Sequence, residues 1–485
     1  METPVCDFAR AYAGAGGVRM HMPGHKGKPA TGPEALDLTE ITGADELYPA
    51  RGILRRSEEN AAALFGTART LYSAEGSSLC IRGMLALAAI RARETGRPFR
   101  VLAGRNAHRT LLTAAALLDA EIDWIDPEPE EGLRRCGVTP EKLERLLAEQ
   151  EVKSGTETGT LAHMPAGQIP DAGGTPGREA RTPAKAPYTA VYLTTPDYLG
   201  NCLDLRPLAE VCHRRGMLLL VDNAHGAYLR FLPEDRHPIT QGADLCCDSA
   251  HKTFPCLTGA AYLHISRQAP GHLADRAEAA LAMFASTSPS WLILQSLDRM
   301  NAALAGDWPA RLAETVVRTA EEKERLRAAG WEPAGNEPMK ITLQPKSRGY
   351  TGLELHALLR EAGIEAEFAD PDFLTLMPSP DTEEADWRRL RTALAGIPAR
   401  PARTDRTDRP PAVGKRQRVC SLREALLSPW EEIPVSRAAG RILADAMVSC
   451  PPAVPIALPG ERLDDRAIAC FRYYGTDSCR VLTES

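Results

Sequence analysis

Residues 217–253 constrain this chain more than any other stretch. Residues 217–221, Met-Leu-Leu-Leu-Val, are an unbroken apolar run, the pattern of a strand buried on both faces in a parallel sheet. The run ends in Asp222, so a carboxylate stands at the carboxyl end of a central strand, where open α/β sheets form their ligand crevice. Lys252 follows in Ser249-Ala250-His251-Lys252-Thr253, between strand-like segments at 243–247 and 259–265. Taken singly, an acid after a strand serves as a cap or turn former, and a lysine is ordinarily solvated.

In this order, among small and hydroxyl residues, the pair matches the needs of pyridoxal phosphate: an amine to hold it, and an acid to keep its pyridine nitrogen protonated. Gly76, Ser77 and Ser78 open an apolar, alanine-rich helix. Free N–H groups, a glycine and two hydroxyls at a helix N-terminus suit a phosphate, although a serine N-cap has the same appearance. His108 sits at the end of a strand, a place also taken by ordinary hydrogen-bonded histidines.

The surrounding text resembles the Orn/Lys/Arg decarboxylase family of fold-type-I pyridoxal phosphate enzymes, in its shorter form without a receiver-like N-terminal domain. HMPGHKGK from His21, LTEITGADELYPARGIL, EGSS, GRNAHRT, VDNAHGAYLRF, SAHKTFPCLTGAA and STSPSWLILQSLD stand in the family's order, and the likeness runs on to Pro459-Gly460-Glu461. It implies an α/β fold: an aspartate-aminotransferase-like large domain with a mixed, mostly parallel sheet, and smaller α/β C-terminal domains. The implied activity is decarboxylation of arginine, lysine or ornithine to a polyamine-type amine, in a homodimer or higher homo-oligomer. The same fold also hosts transamination, aldol cleavage and elimination, and silent relatives serve as regulatory subunits. Retention of Lys252, Asp222 and His108 together argues against silence.

Residue by residue, the likeness makes Lys252 the tether and Asp222 the partner of the pyridine nitrogen. His108 stacks on the ring, Ala224 lies against its other face, and His225 contacts the ring oxygen or the substrate carboxylate. His251, Lys252 or His225 returns a proton to Cα. Gly76, Ser77, Ser78 and Ser249 complete the cofactor set, and Thr287, between Ser286 and Ser288, reaches the phosphate held by a second copy. His21, His25 and Lys26 lie near the active site. Glu461 is a candidate for the substrate's distal cation, whereas Asp45 and Glu46 either receive that cation or are simply solvated. Departures from the family text fall at Asp197 and Leu199, in a Pro-Thr-Tyr-Tyr-like loop, at Asn223, often Glu, and at Cys450 and Ala453.

Strands and helices alternate from about residue 75 to 265, as in a sheet covered on both faces. The expected organisation is an N-terminal segment (1–55), a cofactor-binding domain (56–270) with a mobile Gly/Thr/Pro insertion at 151–187, an interface helix and small α/β domain (271–400), a Pro/Arg-rich linker (401–418) and a C-terminal domain (419–485). A net charge of −6 argues against nucleic acid as the main partner, and no apolar run reaches membrane-spanning length. The N-terminus lacks a secretory layout. The twelve cysteines are scattered without C-x-x-C pairs, and adjacent Cys246 and Cys247 would point to opposite faces of a strand. They read as reduced thiols of a cytoplasmic protein with no metal site.

Overall fold

The computed structural model describes residues 1–157, 188–414, 416–445 and 453–484. Its centre is a seven-stranded sheet: β1 (Arg69–Ser73), β2 (Arg100–Gly104), β3 (Glu121–Ile125), β4 (Ala190–Thr194), β5 (Leu218–Asp222), β6 (Leu245–Asp248) and β7 (Ala261–Ile265), in the order β1-β7-β6-β5-β4-β2-β3. The ladders from β6 across to β3 are parallel, and β7 runs antiparallel to both β6 and β1. The sheet is therefore mixed and mostly parallel, as expected for this fold class. The apolar run at 217–221 is its middle, with β5 almost wholly excluded from water.

Helices cover both faces. They are α1 (Pro4–Gly14), α2 (Ile53–Phe65), α3 (Gly76–Thr95), α4 (Arg109–Leu118), α5 (Pro140–Glu157), α6 (Leu205–Arg214), the single turn α7 (Ala250–Thr253), α8 (Gly271–Ala282), α9 (Trp291–Leu304) and α10 (Trp308–Ala328). Alternate strand residues face opposite ways. Leu218, Leu220, Tyr192 and Cys247 pack into a core with α3, α4 and α8. Leu219, Val221, Val191 and Cys246 join α5 and α6 on the other side. The two adjacent cysteines thus point apart, as expected. By the same parity Asp222 faces the α3–α4 layer and Asn223 the opposite one. A third core, built on Phe65, Tyr72, Tyr262, Trp291 and Trp308, holds α1, α2 and α9.

A smaller antiparallel sheet follows: β8 (Pro333–Ala334), β9 (Ile341–Leu343), β10 (Phe368–Ala369) and β11 (Leu374–Leu376), in the order β10-β11-β9-β8. It packs with α11 (Gly352–Glu361) and α12 (Glu384–Gly396) around Trp331 and Trp387. Thr351 and Glu354 start α11 with a reciprocal capping box. The tail holds β12 (Gln417–Arg418), α13 (Leu422–Leu427), β13 (Trp430–Pro434), β14 (Glu461–Arg462), α14 (Asp465–Tyr473) and β15 (Ser478–Leu482). These strands form two-stranded ribbons, β12 with β14 and β13 with β15. One local expectation fails: α5 continues to Glu157, into the segment read as loop. The rest of the 151–187 insertion lies outside the described residues.

Candidate active site

The strand-end carboxylate of Asp222 is 2% exposed. Oδ2 accepts from the Tyr192 hydroxyl (3.1 Å), and Oδ1 from the Ala224 N–H (3.1 Å) and the Cys247 thiol (3.6 Å). All three donors are neutral, so the anion is hydrogen-bonded without being neutralised, and a cation brought next to it gains strongly. Burial, and then Asp222 itself, push the Tyr192 phenol well above its usual range, which keeps it a donor.

A cavity of about 510 Å³ opens against Asp222 and is also lined by Lys252, His108, His225, Ala224 and Ser77. Lys252 projects from α7, directly after β6. Its Nζ lies 3.1 Å from His225 Nε2. Burial, followed by the nearby Lys340 and Lys252 charges, drives the His225 pKa far below its ordinary value. The ring is therefore neutral, and with Nε2 accepting from the Lys252 amine its proton sits on Nδ1. Among the described residues that buried nitrogen has no hydrogen-bond partner, and neither has Thr194 Oγ1 in the cavity wall. Unmet buried polar atoms beside a cavity indicate a ligand.

His108 is the N-cap of α4. Its Nδ1 accepts from the Thr110 N–H (3.3 Å) and lies 2.9 Å from Thr110 Oγ1, which fixes the ring while it stays open to the cavity. Desolvation lowers its pKa; Asp222 opposes this, and Lys252 and Arg109 add to it, so the imidazole is neutral. At the mouth of the phosphate-type helix, Gly76 takes φ +72°, a conformation suited to glycine. Ser249 Oγ donates to Ser77 Oγ at 2.8 Å, joining the lysine segment to the start of α3, and Ser78 pairs with Thr110 at 3.1 Å. An anion, an amine, a neutral ring and a helix N-terminus around one cavity complement a flat cationic ring bearing a phosphate.

Not every expected residue arrives there. His251 bonds the Ala260 carbonyl (3.0 Å) and is not among the cavity-lining side chains. Thr287 is exposed and lies outside the cavity, although the neighbouring Ser286 N–H reaches Glu75 beside α3 (2.8 Å). His21 bonds Tyr12, and His25 bonds Asp37, both away from the cavity. Asp45 is a helix cap: its carboxylate accepts from the N–H groups of Arg51, Gly52 and Leu54 at the start of α2. Glu461 requires a correction. It is buried in a bidentate pair with Arg105, at 2.8 and 2.5 Å, and accepts the Leu458 N–H as well, so it has no room for a substrate cation.

The cavity does hold a carboxylate the sequence reading missed, Glu367. It lines the cavity from just ahead of β10, is exposed, and its carboxylate accepts from the Tyr198 hydroxyl (3.0 Å). Tyr198 in turn meets His225 and Phe368 edge-on. Asp197 also lines the cavity, but its carboxylate is spent on the Asn201 side chain and the N–H groups of Leu199 and Asn201. Ala453 and Pro455 of the tail close the wall.

The family model described as Orn/Lys/Arg decarboxylase, major domain, matches residues 3–332, and that of the Orn/Lys/Arg decarboxylase C-terminal domain matches 420–477. An arginine decarboxylase of Bacillus subtilis (strain 168) is 28% identical, the alignment covering 96% of this chain and 92% of the relative. One of Bacillus anthracis is also 28% identical, with 95% and 90% covered. Among solved structures, the constitutive lysine decarboxylase of E. coli superposes with a TM-score of 0.72 at 18% identity, over 99% of this chain and 82% of that one. Lysine decarboxylase A of Pseudomonas aeruginosa gives 0.73 at 18%, over 99% and 80%. At that identity the two structures speak for the fold alone.

Proposed function

This chain belongs to the Orn/Lys/Arg decarboxylase family, and from that premise we propose that it releases carbon dioxide from arginine, using pyridoxal 5′-phosphate held in the cavity beside Asp222. The observation that carries the reading is the convergence of Asp222 and Lys252, from successive strand ends, on one cavity. When bound, the cofactor supplies an electron sink for the pair left at Cα as carbon dioxide departs.

The protein's part is to orient, exclude water and place protons. Asp222, buried and bonded by neutral donors, would hold a proton on the pyridine nitrogen. Lys252 would offer the amine that tethers the cofactor, and its Nζ and the His225 ring beside it (3.1 Å) are the cavity groups that could hand a proton to Cα. His108, fixed by Thr110, and Ala224 line the cavity and would bear on the cofactor ring. Ser77 at the head of α3, and Ser249 bonded to it from the start of α7, would take the phosphate.

Glu367 receives the substrate's distal cation. A planar guanidinium suits a carboxylate with a free edge next to an aromatic wall, and the curated relatives named above are arginine decarboxylases. We further propose a homo-oligomer in which Thr287 serves a second copy, in the cytoplasm. Among the described residues the cysteines are free, and no helix is long and apolar enough to cross a membrane. Carbon dioxide release from arginine, lysine and ornithine in parallel, with added pyridoxal phosphate, tests the reading. Arginine should give agmatine, and Lys252→Ala should abolish both turnover and the bound-cofactor absorbance. A keto acid product, or full activity in Lys252→Ala, would overturn it.

A further inference from the structure

Behind the sheet, on the face away from the cavity, lies a charged group that the chemistry above does not use. Asp248, the last residue of β6, is wholly buried. Its Oδ2 accepts from Nε2 of His237 (3.0 Å) and of His264 (3.1 Å). Oδ1 accepts from Asn223 Nδ2 at 2.7 Å. Three ligating side chains this close also have the outline of a metal site. The backbone contradicts that use: the Ile239 N–H donates to His237 Nδ1 (3.3 Å), which places the ring proton on Nε2, facing Asp248. Phe65 packs against both histidine rings, and His264 Nδ1 is held by Thr70 (2.9 Å). Burial opposes ionisation of Asp248, but the two histidines outweigh it and hold the carboxyl far below its ordinary range.

Asp248 Oδ1 also accepts from the Cys246 thiol (3.6 Å), but the position of Asn223 gives its grip the meaning. Asn223 directly follows Asp222, and Asp248 directly precedes the Ser249–Lys252 turn. The Asn223 N–H also bonds the Cys247 carbonyl (3.0 Å), extending the β5–β6 ladder one step beyond the strand. Main-chain and side-chain bonds together therefore tie the two strand ends at the point where each presents its reactive group to the opposite face. Gly226 leaves the space: a Cβ there would collide with Asn223 Oδ1.

We propose that Asn223 and Asp248 form a positioning lock that sets the gap between Asp222 and Lys252, and so the fit of the cofactor ring between them. The inference rests on the cofactor reading given above. Neither residue lines the cavity, so the expected effect is on kcat and on the cofactor's own signals more than on KM.

The test is a polarity swap in the full chain with added pyridoxal phosphate, reading kcat, KM, the bound-cofactor absorbance and the pyridoxal phosphate dissociation constant. Asn223→Asp sets carboxylate against carboxylate; kcat should fall about tenfold or more and cofactor affinity should weaken. Adding Asp248→Asn restores a donor–acceptor pair in reverse, with the new amide oxygen at position 248 still available to both histidines, and should recover most of both losses. If Asn223→Asp loses its far-UV dichroism, the double variant and Asn223→Ala are read instead, the latter with reduced kcat, a shifted cofactor band and near-normal KM. Unchanged kcat and spectrum in Asn223→Ala, or a double variant no better than a folded Asn223→Asp, overturns the lock. If the wild type and Lys252→Ala fail their own test, the fault lies in the cofactor reading; a flat Asn223 series on an active wild type removes the lock alone.

Discussion

Replacing Glu461 by Gln tests how the tail is fastened to the catalytic domain. Arg105 is 1% exposed and Glu461 5%, and two short bonds join them across the junction. Breaking a buried pair from one side strands the other charge, at a cost of about 3–5 kcal/mol. The stranded guanidinium keeps one outlet: its Nε lies 3.6 Å from Asp126, whose side chain is 55% exposed. An exposed partner of that kind returns no more than about 1 kcal/mol. The expected loss for Glu461→Gln is therefore about 3 kcal/mol. Removing both charges with Arg105→Met and Glu461→Leu strands nothing, so the double variant should be more stable than either single one, with a coupling of at least about 2 kcal/mol. Urea unfolding followed by far-UV dichroism measures all the variants beside the wild type. Because Arg105 begins the loop that carries His108, weakened cofactor binding should accompany the stability loss in Glu461→Gln. Additive single costs, or a loss under about 1 kcal/mol, would refute the reasoning.

Glu367→Gln should raise KM for arginine on the order of tenfold while kcat changes little, since a charged hydrogen bond to the distal end is lost far from Cα; steady-state kinetics decide, and an unchanged KM removes Glu367 from the substrate site. Glu58, buried beneath the Tyr72 N–H (3.0 Å), makes stability depend on pH: desolvation lifts its carboxyl from 4.5 to about 8 in the folded chain. Its contribution is complete below pH 4.5, is lost as pH rises towards 8 and is flat beyond, and Glu58→Gln should remove that slope from melting temperatures taken across the window.

The parts of the site written by adjacent residues were legible. A run of branched and linear aliphatics ending in Asp222 can be little other than a central strand, and the turn holding Lys252 follows it in the same stretch. Ser77 could be read because it begins a helix, where residue type is tightly restricted, whereas His108 stood out only through the family likeness. Glu367 could not: its neighbours in Glu365-Ala366-Glu367 show an ordinary solvated edge, and only the docking of the small sheet against Tyr198 gives it a role. Glu461 misled for the same reason, since its partner lies 356 positions away in sequence. The helix at 140–157 runs on into the segment read as an insertion, since a lone Gly155 inside a helical run costs only about 1 kcal/mol and need not end it.

Ala453 and Pro455, which close the cavity wall, follow every strand of the large sheet in chain order. During synthesis the sheet and its helices can assemble well before these residues leave the ribosome. The cleft of a growing chain is then a half-built room, open to water on one side until these two residues close it.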